Sequence, residues 1–223
     1  MENMTKTIEE LQASIVEAEK LTKKKKKAKP MANKNMLTAL NAAMFGKSSN
    51  SVLNSFCMIF DAVDEDVSKQ VIQFIIESTF SEDRPDILNI LINSPGGQLH
   101  DAFAIIDVMK SCPIPIRTIG LGQISSAGLM IFLSGTKGER VLTPNTSIMS
   151  HQWSGGSLGK SNELWAAGKE FDLTDKRMMN HYMKTTGLSE KKIREHLLPA
   201  HDVYLSSSEA LKFGICDKVA NLD

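Results

Sequence analysis

The chain has 223 residues, of which 42% are hydrophobic, so it can form one domain with a sizeable core plus an appendage, and global disorder is excluded. Its 26 basic and 26 acidic residues balance, but the first 50 residues carry ten Lys against five Glu, so only this segment could attract nucleic acid or an acidic partner. No apolar run approaches the roughly 18–20 residues of a membrane span and no secretion signal opens the chain, so we expect a cytoplasmic protein.

The N-terminal quarter of the chain is predicted to be an extension rather than part of the core. Apolar residues recur every three to four positions over 5–22, as on one face of a helix. The block KKKKKAKP (23–30) follows, and like-charge blocks of this kind are usually solvated. We therefore interpret residues 1–54 as a basic, partly helical or disordered extension and residues 55–223 as the folded domain. A role of the lysine block in binding nucleic acid or an acidic partner remains an alternative.

From about residue 56 onward, predicted strands and helices alternate. Short apolar runs predict strands, and apolar residues at helical spacing predict helices. The predicted strands are 57–60, 87–93, 116–122 and two short strands within 140–152, and the predicted helices are 67–80, 99–111, 125–135, about 161–185 and 189–197. Strands that alternate with helices of ten or more residues indicate an α/β fold with largely parallel pairing.

Two of the predicted strand-to-helix turns have compositions that suit catalysis. In SPGG (94–97), adjacent glycines permit positive φ and leave backbone N–H groups free to stabilise an anionic oxygen beside a helix N-terminus. In GQISSAG (122–128), a serine at the start of a helix would present its hydroxyl as a nucleophile does. Taken singly, the first pattern is more often a structural turn and the second a helix cap.

A histidine and a carboxylate further along the chain could complete a catalytic set. His151 ends a predicted strand and could act as a general base, and Asp202 precedes a helix and could orient the imidazole. Alone, each is more often a partly buried histidine or a loop acid. Three widely separated cysteines form no metal set with the histidines, so no metal site is predicted. The other histidines are predicted to lie at the surface: His100, His181, His196 and His201.

Four segments, in this order, resemble the proteolytic subunit of the Clp protease, ClpP. INSPGG (92–97) resembles the family's YINSPGG, and GQISSAG resembles GQAASMG, whose serine aligns with Ser126 rather than Ser125. GTKGERVLTPNTSIMSHQ (135–152) resembles GAKGKRYALPNARVMIHQP, and DVYLSSSEALKFGICDKV (202–219) resembles DRFLSAPEAVEYGLVDSI. Over about residues 56–220 the chain is thus identified as a member of the ClpP family.

The resemblance implies a fold, a mechanism and a set of site residues. The fold is the crotonase-like α/β type with repeated β-β-α units and a protruding handle helix, and the activity is that of a serine endopeptidase. No cofactor or metal is implied for the chain, because ATP would be used only by a partner unfoldase. The implied site comprises Ser126 as nucleophile, His151 as general base, Asp202 as the orienting acid, and backbone N–H groups of Gly96 and Ala127 as an oxyanion hole shaped by Gly97.

The resemblance also implies partners. Family members form heptameric rings stacked in pairs around a chamber, which a Clp-type AAA+ ATPase supplies with unfolded polypeptides. Leu91 replaces an aromatic residue that shapes the family's ATPase-docking pocket, and the extension is longer than the family's axial loop, so docking of a standard ATPase is open. A bacteriophage head-maturation protease of ClpP type and an inactive ring subunit remain alternatives. An acyl-CoA enzyme and a membrane-associated Ser–Lys peptidase fit less well, because neither uses a Ser–His–Asp set.

Overall fold

The computed structural model describes residues 55–221, and the predicted extension over residues 1–54 lies outside this part of the chain. One seven-stranded sheet organises the described residues. Its central order is β1-β2-β3-β4-β7, with β5 paired to β3 and β6 paired to β5; every pairing is parallel except β5 with β6. The strands are β1 (Phe56–Ile59), β2 (Leu88–Ser94), β3 (Ile116–Ser125), β4 (Arg140–Leu142), β5 (Ser147–Ser150), β6 (Val203–Leu205) and β7 (Lys218–Val219).

Helices connect consecutive strands, except β4 and β5, and cover the sheet, as the alternating pattern predicts. They are α1 (Glu65–Phe80), α2 (Leu99–Ser111), α3 (Ser126–Leu133), α4 (Ser161–Thr186), α5 (Glu190–His196) and α6 (Ser207–Lys212). None of the helices described is long and apolar enough to cross a membrane. The α/β class with mainly parallel strands is confirmed.

Helix α3 is the most deeply buried of the described helices and packs into the hydrophobic core. All its residues after Ser126 are buried, including the large side chains of Leu129, Ile131 and Phe132. Burying a side chain of this size stabilises a fold by about 1.5–3 kcal/mol. The start of α3 is therefore held by the packing of the whole helix, and Ser126 is its first residue.

Strand β3 was predicted to end at residue 122 but continues to Ser125, because a bulge at Gly122 allows the pairing with β2 to resume. Ile92 of β2 pairs with Gly120, but the next paired position joins Ser94 to Ile124, so β3 gains two residues over β2. Gly122 takes φ +58°, and the N–H of Gln123 donates to Asn93 Oδ1 at 3.1 Å. This bulge extends β3 to Ser125 and brings the serine pair alongside the end of β2, where the SPGG turn begins.

Helix α4 is buried only in its C-terminal half. No residue from 161 to 173 is buried, whereas Thr174, Met178, Met179, His181 and Tyr182 are. The prediction that His181 lies at the surface was wrong, since only 3% of it is exposed. Its position three residues after Met178 places it on the apolar face of the helix.

Candidate active site

Ser126 has the geometry of a nucleophile presented at a sharp turn. It is the only non-glycine residue among those described with positive φ, +51°, a conformation that is strained for most residues and clusters at functional sites. Its Oγ lies 2.7 Å from His151 Nε2. The neighbouring Ser125 is fully buried, and its Oγ accepts a hydrogen bond from Gln123 Nε2 at 2.9 Å. The two adjacent serines therefore point to different environments, and Ser126 is the one in contact with a base.

His151 follows β5 directly and is anchored on both sides by its chain neighbours. Ser150 Oγ lies 2.9 Å from the Tyr182 hydroxyl, and both residues are buried. Gln152 Nε2 donates to the carbonyl oxygen of Leu198 at 3.0 Å. These two contacts fix the backbone that carries the imidazole, whose own side chain remains 24% exposed and accessible to a substrate.

Asp202 reaches His151 through the antiparallel pairing of β5 with β6. That pairing sets Ser150 opposite Val203, so the next positions along, 151 and 202, face each other. His151 Nδ1 lies 3.8 Å from Asp202 Oδ1, and the carboxylate side chain is 54% exposed. This separation is an ion-pair distance and is longer than a hydrogen bond. The structure thus brings the three predicted side chains together, and the contact of Asp202 with His151 is the longer of the two.

The glycine turn packs directly against the serine turn. Gly96 takes φ +97°, and a methyl group there would lie 2.6 Å from Ser126 Cβ and 2.8 Å from the Ser125 carbonyl oxygen. The Gly96 N–H donates to Ser94 Oγ at 3.2 Å, and the Ser94 hydroxyl in turn donates to the carbonyl oxygen of Asp61 at 2.7 Å. Only glycine permits this approach of two backbones, and the Gly96 N–H is already engaged.

Gly97 has a free N–H where Gly96 does not. The Val63 N–H donates to the Gly96 carbonyl oxygen at 2.8 Å, and the Gln98 N–H donates to the Val63 carbonyl oxygen at 2.7 Å. These bonds form a parallel bridge between Val63 and Gly97, in which the N–H of Gly97 itself faces away from Val63. Within residues 55–221 this N–H has no hydrogen-bond acceptor.

The N-terminus of α3 offers a second set of backbone donors beside this turn. Ala127 is the second residue of α3, and the first N–H groups of a helix have no acceptor inside it. A methyl group on Gly96 would lie 3.1 Å from the Ala127 nitrogen, so the turn and the helix start are in contact. Free N–H groups at a helix N-terminus favour negative charge.

Several polar contacts around the site lie outside the predicted set. Ser94 anchors the glycine turn, and Ser150 with Tyr182 anchors the base. His181 donates through Nε2 to the carbonyl oxygen of Met130 in α3, at 2.9 Å. Ser150 and Tyr182 show no signal in the sequence that links them, because they are brought together only by packing of α4 on the sheet. The remaining predicted surface histidines are exposed, as expected: His100, His196 and His201.

Comparison with known proteins places the chain in a family. The sequence model of the Clp protease family, described as "Clp protease", matches residues 46–223. The chain belongs to the Clp protease family. This family member is 31% identical over 157 residues to the ATP-dependent Clp protease proteolytic subunit 2 of Thermobifida fusca, which covers 70% of this chain and 76% of that protein.

Two further comparisons agree. The ATP-dependent Clp protease proteolytic subunit 2 of Chlamydia trachomatis is 33% identical over 162 residues, covering 73% of this Clp family chain and 78% of the relative. Among solved structures, a mutant of ClpP1 from Listeria monocytogenes matches with a TM-score of 0.66 and 27% identity, over 76% of this chain and 94% of that one. The predicted family and the ClpP-like α/β fold are confirmed, and the family assigns the chain to the Clp-type proteases.

Proposed function

We propose that this Clp protease family member is a serine endopeptidase in which Ser126 is the nucleophile and His151 its general base. The observation that carries the proposal is the 2.7 Å contact between Ser126 Oγ and His151 Nε2 at a turn with positive φ. A nucleophile and a base within hydrogen-bond reach are the signature of an activated hydroxyl. An acyl-CoA enzyme of the same fold would have no use for this pair.

The proposed reaction proceeds through an acyl-enzyme. The Ser126 hydroxyl attacks the peptide carbonyl carbon while its proton passes to His151 Nε2, which yields a tetrahedral oxyanion and an imidazolium. The imidazolium then gives this proton to the leaving amine as the C–N bond breaks, leaving an ester on Ser126. Water attacks the ester, its proton again passes to Nε2, and collapse returns the proton to Oγ and releases the acid.

The oxyanion would lie between the glycine turn and the start of α3. We assign the two donors to the N–H groups of Gly97 and Ala127, because both are free whereas the Gly96 N–H is bonded to Ser94 Oγ. Gly96 then serves to bring the turn within contact of Ser126, where any side chain would clash. Each such donor is worth about 10²–10³ in rate.

Asp202 is assigned the role of the orienting acid. Transfer of a proton to Nε2 makes the His151 ring cationic, and a carboxylate facing Nδ1 stabilises that cation. The 3.8 Å separation would shorten by about 1 Å to form the charge-assisted bond of the reacting state. Contacts of this kind often tighten only when substrate binds.

We further propose that the protein acts on unfolded polypeptides inside a homo-oligomeric chamber of paired heptameric rings. Two of the relatives are named as proteolytic subunits of an ATP-dependent protease, which supports a subunit role and a partner that consumes ATP. A Clp-type AAA+ ATPase would supply the unfolded chain. The chemistry proposed for this chain uses only protein groups, so no cofactor is required at Ser126.

The test is covalent labelling of the purified full-length protein with a fluorophosphonate probe. We expect wild type to be labelled and Ser126→Ala not to be, because the probe forms its bond with an activated serine. Ser125→Ala is the matched control: it removes an identical hydroxyl one residue away, buried and bonded to Gln123, and should leave labelling intact. Wild type and Ser125→Ala should also cleave a fluorescently tagged unfolded casein, whereas Ser126→Ala should not.

Equal labelling of wild type and Ser126→Ala would reject the nucleophile assignment. Absence of labelling in the wild-type protein, in an assembled and folded state, would instead indicate an inactive ring subunit. Loss of labelling in Ser125→Ala with retention in Ser126→Ala would reverse the choice of serine.

A further inference from the structure

Two consecutive side chains of α4, His181 and Tyr182, are buried polar groups in a core that is otherwise mainly apolar. They are 3% and 0% exposed, respectively. Burying a polar group costs free energy unless it is hydrogen-bonded, and both are bonded. Their partners belong to different elements of the candidate active site, one to the helix that begins with Ser126 and the other to the strand that ends before His151.

The Tyr182 contact acts on the base. Its hydroxyl lies 2.9 Å from Ser150 Oγ, and Ser150 is the residue that precedes His151. Burial raises the pKa of Tyr182 to about 12, so at neutral pH the contact is a bond between two neutral hydroxyls. A displacement of Ser150 would turn the peptide that follows it and so move the imidazole.

The His181 contact acts on the nucleophile helix. Nε2 of His181 donates to the carbonyl oxygen of Met130, one turn after Ser126 in α3. Nδ1 lies 3.5 Å from Lys110 Nζ of α2, so the ring is held as the neutral tautomer with its proton on Nε2. Because positions 181 and 182 are adjacent, any shift of α4 would move both contacts together.

We propose that Tyr182 is a positioning residue for His151, acting through Ser150, and that His181 ties the same helix to the Ser126 helix. The C-terminal half of α4 then fixes the distance between Ser126 Oγ and His151 Nε2 through contacts in the core, and it does not contact substrate. This inference rests on the proposed function, since it assumes that the Ser126–His151 contact is catalytic. Two neutral hydroxyls in the core, those of Tyr182 and Ser150, would then affect the rate of acylation.

The test compares Tyr182→Phe, Ser150→Ala and the double variant with wild type. A misplacement of about 1 Å near the reacting atoms can cost 10²-fold, so we expect each single variant to lose roughly tenfold to hundredfold in the fluorophosphonate labelling rate and in kcat for a short peptide. KM should stay within twofold, because Tyr182 is inaccessible to substrate. Tyr204→Phe is the matched control: it removes the hydroxyl of the chain's other tyrosine, which is exposed, and should label like wild type.

The double variant separates positioning from stability. A single variant leaves one buried hydroxyl unpaired, whereas Tyr182→Phe with Ser150→Ala leaves none, so thermal stability should recover partly in the double variant. Labelling that stays low while stability recovers supports the proposal. Labelling that returns to the wild-type rate, or single variants that label normally per folded molecule, would overturn it. If wild type itself is not labelled, the proposed function fails instead.

The contact of His181 with the Met130 carbonyl oxygen is tested with two variants. His181→Gln keeps a donor for this carbonyl, whereas His181→Leu does not. We expect the Gln variant to label within a few-fold of wild type and the Leu variant to label at least tenfold more slowly. Equal labelling of the two variants would remove His181 from the proposal.

Discussion

Gly97 has a backbone conformation and surroundings that only glycine tolerates. Its φ is +150°, and a methyl group would lie 2.2 Å from the carbonyl oxygen of Val63 and 2.7 Å from the Val63 nitrogen. Both clashing atoms are backbone, so neither can rotate away. Gly97→Ala must therefore move the turn relative to Val63. Because the Gly97 N–H is an assigned oxyanion donor, we predict a fall of about 10²–10³ in kcat for peptide hydrolysis.

Gly138→Ala provides the control for this prediction. Gly138 has φ +93°, also unfavourable for alanine, but a methyl group there meets no atom within 4 Å. It should therefore cost stability, of order 1 kcal/mol, without a comparable loss of kcat. If the two variants lost activity equally, backbone strain rather than displacement of a donor would be responsible.

The site residues differ in how far the sequence could predict them. Ser126 and His151 could be predicted, because each stands at the end of a strand in a segment with family resemblance, and the structure places them 2.7 Å apart. The Ser150–Tyr182 contact could not, since the two residues are 32 positions apart and each alone resembles ordinary core or loop chemistry. The prediction for His181 was wrong because a polar residue in a long helix can lie on its buried face, and the spacing from Met178 places His181 there.

At the level of elements, helix and strand positions follow from local patterns, whereas pairing does not. Helix α2 has the predicted bounds, and α4 differs from its prediction by one residue. The bulge at Gly122 and the antiparallel contact of β5 with β6 depend on which distant strand lies alongside, so they have no local signal. The pairing of β5 with β6 is what places Asp202 next to His151.

The buried end of α4 makes the stability of the fold depend on pH. Desolvation, with Lys110 and then Lys184 as nearby positive charges, lowers the pKa of His181 from 6.5 to about 4, although its bond to Met130 opposes the shift. The unfolded chain therefore takes up a proton below pH 6.5 that the folded chain does not. Stability from this group is complete above pH 6.5 and is lost as the pH falls towards 4.

We predict a loss of about 2 kcal/mol in the free energy of unfolding between pH 7 and pH 5 from His181 alone. His181→Gln keeps a donor and an acceptor but does not titrate, so urea unfolding of this variant at fixed protein concentration should show a correspondingly smaller drop. Asn180→Gln changes an exposed residue of the same helix that does not titrate, and it should leave the wild-type pH dependence unchanged. An identical pH dependence in all three proteins would contradict the assignment to His181.

For the whole molecule, the exposed apolar residues of α4 bear on assembly. Leu164, Trp165 and Leu173 lie on the half of this helix that has no buried residue, and Trp165 is 79% exposed. A tryptophan can bury about 150–250 Å² in an interface, which is worth several kcal/mol at roughly 25 cal/mol per Å². If the chain forms the homo-oligomeric chamber proposed above, a second copy of the chain is the partner expected at this surface.

We predict that wild type scatters light as a particle of hundreds of kilodaltons, many times the 24.6-kDa chain, and that Trp165→Asp halves this mass by separating paired rings. A buried carboxylate would face the apolar surface of the opposing copy, and burying an unpaired charge is costly. Trp165→Phe keeps an apolar ring and should retain the wild-type mass. A stable monomer in the wild-type protein would contradict the chamber, and a full-sized particle for Trp165→Asp would show that α4 is not the surface that joins the rings.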